Sequence, residues 1–311
     1  MSDTIYDVVI IGAGPAGIQA AIHATRKKTN VLLLGRIENS AIYWAHVENY
    51  ACVSGVTDGK DLLEAGVSQL ERFGTEMRPD DVLKIAQGEN EGEDGPEEGL
   101  FTLGLESGDA VTSRTIIFAM GVSKNKLSVP GEKELGGMGV SYCVDCDANF
   151  YRGDTVMVVG NQSAAIDGAL TLLDYAAKVY LIAEELQGSE AMLTKLHASE
   201  VELHTGEWVQ EIIGQGKVEE VLLKSGKKIE VGGVFIELGS KGALELATQV
   251  GVLLDTERFK YINVNRQQET NIAGIYAAGD IVGPPYQMAK AVGEGCVAGM
   301  EAAMFARKKR Q

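Results

Sequence analysis

Short all-apolar runs alternate along the chain with stretches of helical character. Residues 8–11 (VVII) suit a strand buried on both faces. The run breaks at residues 12–17 (GAGPAG) and passes into Ala/Ile-rich helical sequence, and residues 31–34 (VLLL) are the next strand, completing a βαβ unit. Further strands are expected at 81–86, 100–106 and 111–119, the last two joined by a Ser107-Gly108-Asp109 turn. The plan then recurs, with a strand at 155–159, a tight loop at 160–165, a helix at 166–176 and a strand at 178–183. Short strands follow near 207–213, 217–223, 228–230 and 234–238, and IYAAGD at 275–280 leads into a final helix over about 287–306. A period this long is a duplicated domain plan rather than a solenoid repeat. The chain is expected to be α/β with two Rossmann-like nucleotide-binding domains.

Composition narrows the functions. The 311 residues carry a formal net charge of -16, which argues against nucleic acid as the main partner, since phosphate binding needs a basic face. No apolar run reaches the roughly 18 residues of a membrane span, and Met1 to Asp7 lacks the basic region of a signal peptide. Four cysteines are too few for a disulfide scaffold at this length. The expectation is a reduced, cytoplasmic chain. The acidic stretch 87–99 (QGENEGEDGPEEG) reads as a solvated connection, and Arg307 to Arg310 as a short solvated basic run.

Gly12, Gly14 and Gly17 match G-x-G-x-x-G where it carries meaning, between a strand and a helix. The first permits the tight turn, the second lets backbone approach a pyrophosphate, and the third lets the helix pack near the strand. The helix N-terminus then holds the phosphate charge. The strand 31–34 ends at Gly35-Arg36 without the acidic residue expected for the ribose; Glu38 lies close enough to serve.

Cys143-Val144-Asp145-Cys146 is followed directly by Asp147. Two cysteines at this spacing at a helix start can form a reducible disulfide, the helix end favouring a thiolate. Zinc is the main rival but wants four ligands; Cys52 and Cys296 are isolated, and His197 and His204 have no matching pair spacing. An inert buried pair is the other alternative. Redox chemistry is the better reading.

GAGPAG near the N-terminus, VENY at 47–50, YCVDCD at 142–147 and GIYAAGD at 274–280 occur in this order. Together they resemble the low-molecular-weight thioredoxin reductases over nearly the whole chain. The resemblance implies a FAD-binding domain in two pieces, 1–120 and 243–311. A second Rossmann-like domain, 121–242, is inserted between them and carries the C-x-x-C, and the enzyme is a homodimer. Gly12, Gly14, Pro15, Ala16 and Gly17 would hold the FAD pyrophosphate, Asn49 would contact the flavin side and Asp280 the ribityl chain, with Gly279 also among the cofactor-binding residues. Gln287, Met288 and Ala289 would turn the last helix's N-terminus toward the flavin edge where negative charge collects on reduction. Cys146 would face the flavin, Cys143 would exchange with thioredoxin, and Asp147 would give a proton to the departing thiolate. Gly121 and Ser240-Lys241-Gly242, at the two crossings between domains, are expected hinges.

The second glycine loop departs from the family pattern. In Gly160-Asn161-Gln162-Ser163-Ala164-Ala165, Gln162 stands where a pyrophosphate would meet bare glycine. After the next strand, Glu184 and Glu185 stand where NADPH-using members carry arginines, and each lost charge-assisted bond costs about 1.5–3 kcal/mol. A subset of the family shares the lost loop together with a segment like Pro285-Tyr286-Gln287 and 290–295 (KAVGEG). These are the ferredoxin-dependent flavin thioredoxin reductases, which take electrons from ferredoxin or flavodoxin. Plant-type ferredoxins near about −400 mV and thioredoxin near about −270 mV make the two-electron transfer downhill by about 6 kcal/mol. NADH as donor, which the acidic strand end would suit, and a flavin dithiol oxidase are the alternatives. Tyr43 and Trp44 stand near the expected flavin site without a clear role, and Cys52 and Cys296 read as small buried residues.

Overall fold

The computed structural model describes residues 4–51, 53–88, 99–122, 126–239, 242–256 and 260–310, with the backbone but not the side chain of Cys146. The helices among them, in chain order, are α1 (Pro15–Arg26), α2 (Gly59–Phe73), α3 (Val144–Asp147), α4 (Ser163–Leu172), α5 (Glu190–His197), α6 (Ala243–Gln249) and α7 (Met288–Lys309). The chain forms two units, one of 1–105, 109–122 and 242–311, the other of 106–108 and 123–241.

The first unit is built on a parallel sheet in the order Ile275–Ala277, Ile116–Phe118, Val8–Ile11, Val31–Leu34, Glu76–Arg78. Every residue of the four strands from Ile275–Ala277 to Val31–Leu34 is buried. Both faces are covered, and this is why the sequence shows continuous apolar runs there instead of alternation. Small residues bring α1 and α7 close on one face: a Cβ at Gly295 would lie 2.2 Å from the Ala16 carbonyl, and one at Gly299 2.2 Å from that of Ala20.

A second sheet, ordered Ile5–Tyr6, Ala110–Ser113, Phe101–Leu105, Val82–Gln87, shares an apolar cluster with α6 and the parallel sheet. The single strand expected at 111–119 is therefore two strands in different sheets. They part at Arg114-Thr115, where the Ser113 hydroxyl donates to the Thr115 carbonyl (2.7 Å) and the Thr115 hydroxyl to the Asp7 carbonyl (2.8 Å). The polar run Thr112-Ser113-Arg114-Thr115 marks where the two strands part, but nothing local records that they join different sheets. The helix α2 also went unread; it buries Leu63, Gly66 and Leu70 and exposes most of its other face.

The basic tail is not simply solvated. Asp7 is fully buried, and Arg310 donates to its Oδ1 from Nε (2.6 Å) and contacts Oδ2 through Nη2. The Asn30 N–H also bonds Asp7 Oδ2 (2.6 Å), and Arg114 lies 3.7 Å away. The end of α7 is thus pinned to the residue preceding strand Val8–Ile11.

The second unit repeats the plan with a parallel sheet in the order Val140–Ser141, Gly233–Ile236, Thr155–Val159, Lys178–Ala183, Glu202–Thr205. An antiparallel three-stranded sheet, Val209–Ile213, Glu220–Leu223 and Lys228–Glu230, packs its apolar face into the same core. The helix α4 begins at Ser163 and ends at Leu172, shifted toward the N-terminus from the expected 166–176.

Candidate functional site

In the first unit, strand Val8–Ile11 turns through Gly12 into α1. Gly12 has φ +114°, and a Cβ on it would lie 2.5 Å from the Ala119 carbonyl; one on Gly17 would lie 1.8 Å from the Gly12 carbonyl. Only glycine closes this turn. Gly14 is different: as N-cap of α1 it has ordinary extended backbone, and a Cβ there would meet nothing nearer than the Ser40 hydroxyl at 3.3 Å. Gly12 and Gly17 shape the loop, whereas Gly14 faces room. Pro15 fills N1, and among the described residues no carbonyl of another element bonds the N–H of Ala16 or Gly17. These N–H groups form a ready anion site at the head of a twelve-residue helix.

The other predicted cofactor residues converge on this end of the sheet. Gly279 (φ +87°) would place a Cβ 3.0 Å from that of Ala16 and 3.8 Å from that of Ala291, so Asp280 follows at the head of α1. Lys290 donates to the carbonyls of Gly279 (2.8 Å) and Gly283 (2.6 Å), and Glu294 accepts from the Gly279 N–H (2.9 Å). These two side chains, one turn apart on α7 and paired at 3.1 Å, fix the glycine step. Burial pushes the Asp280 carboxyl above its ordinary value, and Lys290 partly offsets this. Asn49 donates to Gln287, the N-cap of α7, at 3.0 Å, and Met288 and Ala289 form that helix's first turn. Glu38 is exposed on the short turn Ile37–Asn39. Ser40, which no motif marks, is the side chain closest to Gly14. Trp44 is 84% exposed, its ring edge-on to Tyr43 at 4.8 Å. Cys296 is a half-buried free thiol on α7, while Cys52 lies outside the described residues.

In the second unit, Cys143 is disulfide-bonded and directly precedes α3. The backbone of Cys146 lies within α3; its side chain is outside the described residues. Asp147 closes the helix, its Oδ2 accepting from the Ser141 hydroxyl at 2.6 Å. Ser141 Oγ in turn accepts from the Cys143 N–H at 3.1 Å. Ser141, buried and unmarked by any motif, thus links the carboxylate to the disulfide. One expectation needs correction: α3 is only four residues long, and its first N–H, that of Val144, is bonded to the buried Glu237 carboxylate at 3.1 Å. The Val144 N–H is therefore already taken and not offered to a Cys143 thiolate. Of the expected hinges, Gly121 has φ +69°, and Ser240 and Lys241 lie outside the described residues.

The second glycine loop copies the first only in outline. A Cβ on Gly160 would lie 2.0 Å from the Glu237 carbonyl, so this glycine shapes the turn as Gly12 does. Gln162 is the N-cap of α4, the place Gly14 holds on α1. The Ala164 N–H, in the first turn of α4, donates to the Gly239 carbonyl at 3.3 Å. Asn161 is stitched across the loop: its carbonyl accepts from the Gln187 N–H (2.7 Å) and its Oδ1 from the Glu184 N–H (3.2 Å). Gln162 Nε2 reaches Gln187 Oε1 at 3.4 Å, and Glu184 pairs with Lys224 at 3.1 Å. Glu184 and Glu185 are exposed at the strand end.

Two nucleotide-type turns, one open and one closed, in a chain whose C-x-x-C motif includes a disulfide-bonded Cys143, place it in a class. It belongs to the pyridine nucleotide-disulphide oxidoreductase family, which it matches over residues 6–295. Within that family it is similar to thioredoxin reductases. It is 34% identical to the thioredoxin reductase of Mycolicibacterium smegmatis over 312 residues, covering 97% of this chain and 96% of the relative. Among solved structures, the atypical thioredoxin reductase TRi of Desulfovibrio vulgaris Hildenborough superposes with a TM-score of 0.82 at 31% identity, covering 98% of this chain and 99% of that one. A ferredoxin-flavin thioredoxin reductase of Clostridium acetobutylicum gives 0.67 at 34% identity, covering 98% and 99%. The chain is a flavin-dependent disulfide oxidoreductase of the thioredoxin reductase type, with FAD as its cofactor. The first turn fits that cofactor, since Gly14 opens onto room at the head of α1. No helix among the described residues is long and apolar enough to cross a membrane.

Proposed function

We propose that this chain reduces thioredoxin with electrons from reduced ferredoxin or flavodoxin rather than from NADPH, as a cytoplasmic homodimer. The observation that carries the proposal is the closed second turn. Gln162 stands at the N-cap, the Ala164 N–H is already bonded to Gly239, and two carboxylates stand at the adjoining strand end. A pyrophosphate needs bare backbone and free N–H groups at this place, and a 2′-phosphate needs cations. The solved ferredoxin-flavin thioredoxin reductase among the structural relatives supports the same reading.

FAD, held at the first turn, supplies chemistry that accepts electrons singly and delivers them in pairs. Gly12, Gly14, Pro15, Ala16 and Gly17 hold its pyrophosphate and Glu38 its ribose. Gly279 and Asp280 hold the ribityl chain, while Asn49 and the 287–289 end of α7 orient the ring. In this reading Cys146 would be the cysteine that exchanges electrons with the flavin. Cys143 attacks the thioredoxin disulfide, and the resulting mixed disulfide resolves through Cys146. Asp147, held by Ser141 beside Cys143, gives a proton to the leaving thiolate.

Stopped-flow mixing tests the donor: reduced ferredoxin bleaches the flavin absorbance, and NADPH leaves it oxidised. Rapid bleaching by NADPH would sink the proposal. Rapid bleaching by NADH instead would favour a second reading, in which Glu185 takes the 2′-hydroxyl of NADH. Cys143→Ser is expected to keep its FAD, reduce no thioredoxin and trap no mixed disulfide.

A further inference from the structure

We infer that Glu237 is a positioning residue that holds the Cys143 disulfide at a low reduction potential. The inference rests on the reading of Cys143 as part of the redox pair. Glu237 directly follows strand Gly233–Ile236 and is 6% exposed. No motif marks it. Its Oε1 accepts from the Val144 N–H at 3.1 Å, one peptide bond beyond Cys143.

The residue has little freedom to turn away. Its own N–H donates to the Val159 carbonyl at 3.0 Å. Its carbonyl lies against Gly160, and a Cβ added at Gly168 on α4 would lie 3.6 Å from its Cγ and 3.0 Å from Val144 Cγ2. The carboxylate is therefore wedged between α3, α4 and the closed second turn.

A cysteine ahead of a helix is ordinarily helped to ionise by the first N–H groups. Here the first of them is consumed, and the group consuming it brings negative charge. The disulfide form of the pair is neutral, whereas a reduced pair with thiolate character is repelled by that charge. Destabilising the reduced form lowers the potential, the reverse of the case in which a stabilised reduced form makes a strong oxidant. The pair becomes a better reductant for a partner disulfide. A carboxylate is thus placed where it favours onward transfer to thioredoxin over retention of electrons on Cys143.

Equilibrating the holoenzyme with mixtures of dithiothreitol and its oxidised form tests this. At about pH 9 the protein disulfide takes two electrons and one proton, giving one thiol and the Cys143 thiolate, while dithiothreitol gives up two electrons and its thiol protons and closes to its cyclic disulfide. Acid quenching, alkylation and mass spectrometry then count the reduced fraction at Cys143. Glu237→Gln keeps an acceptor for Val144 and removes the charge. It is expected to make Cys143 about tenfold easier to reduce, a rise of about 30 mV. Glu237→Asp, which keeps the charge, is expected to stay near wild type. Should Glu237→Gln not fold, Glu237→Met is uncharged, similar in length and expected to shift the potential in the same direction. An uncharged variant whose reduced fraction stays within twofold of wild type overturns the inference while leaving the redox pair in place. A wild-type Cys143 disulfide that dithiothreitol cannot reduce removes the redox-pair reading, and this inference with it.

Discussion

Gly14 and Gln162 hold the same place, the N-caps of α1 and α4, and both have extended backbone. Each carbonyl accepts the first helical bond, from Ile18 at 3.0 Å and from Ile166 at 3.2 Å. Each turn also begins with a glycine packed against a neighbouring carbonyl, Ala119 for Gly12 and Glu237 for Gly160. The difference lies in what meets the helix head. At α1 the nearest side chain is a small hydroxyl, and no other element's carbonyl takes the Ala16 or Gly17 N–H among the described residues. At α4 a glutamine side chain and the Gly239 carbonyl stand there. A duplicated fold can therefore keep the backbone of a nucleotide cradle after the cradle has closed, because the glycines that shape the turn and those that admit the ligand are different residues.

The strongest way to break this comparison is to give the first turn the second one's side chain. Gly14→Gln is expected to leave the far-UV circular dichroism of the apoprotein unchanged, since Gly14 has ordinary backbone angles. Loss of two charge-assisted phosphate bonds, at about 1.5–3 kcal/mol each, lowers FAD affinity roughly 10²- to 10⁴-fold, measured by fluorescence titration. Retention of FAD at wild-type affinity would show that the turn is not the pyrophosphate site.

A smaller effect separates the buried pair at the start of strand Val8–Ile11 from the exposed pair beside the second turn. Removing one partner of a buried ion pair costs about 3–5 kcal/mol. Arg310 is 42% exposed and Arg114 stays near Asp7, so Arg310→Ala is expected to cost about 2 kcal/mol by urea denaturation. Lys224→Ala, breaking an exposed pair with Glu184, is expected to cost less than about 0.5 kcal/mol. Equal costs would mean that burial does not set the difference.

Asp280→Asn sharpens the reading of the open site. Burial raises the folded-state pKa of Asp280 above its unfolded value, so the folded form holds the proton more readily. The stability this contributes is present at acid pH and is lost as pH rises through the raised pKa. At pH 7 the buried charge is a net cost, so the asparagine variant of the apoprotein melts higher than wild type, and the gap narrows on acidification. The same variant binds FAD about tenfold more weakly, about 1.4 kcal/mol. A melting temperature that falls at pH 7 would contradict the account.

The smallest expected effect is the most telling. Gln162→Gly alone is expected to change flavin reduction by NADPH less than about twofold, about 0.4 kcal/mol. Gly239 still occupies the Ala164 N–H, and Glu184 and Glu185 remain at the strand end. A large gain from that single change would place the whole block in one side chain.

Much of this was legible in the sequence. The runs VVII and VLLL marked two strands at their observed bounds because a strand buried on both faces leaves an unbroken apolar record. The glycine spacing and the C-x-x-C were legible because they are local: their partners lie within a few residues. Ser40, Ser141, Lys290 and Glu294 were not read as site residues. A serine, a lysine or a glutamate acquires its role from what it faces, and no spacing records that. The helix α2 is written in the sequence, where Leu63, Val67 and Leu70 recur at helical spacing among charged residues, whereas the division of 111–119 between sheets is not, because a sheet is chosen by partners distant in sequence.

The amino-acid order alone determined that there are two turns of one plan, that one lacks its second glycine, and that two cysteines precede an acid. Those are facts of covalent neighbourhood. Only the folded chain decided that Gly239 caps α4, that Arg310 reaches Asp7, and that Glu237 rather than solvent receives the Val144 N–H. Each of these joins residues far apart along the chain. A hydrogen bond depends on separations of about 3 Å in space, and these contacts form only once packing has fixed where each element sits.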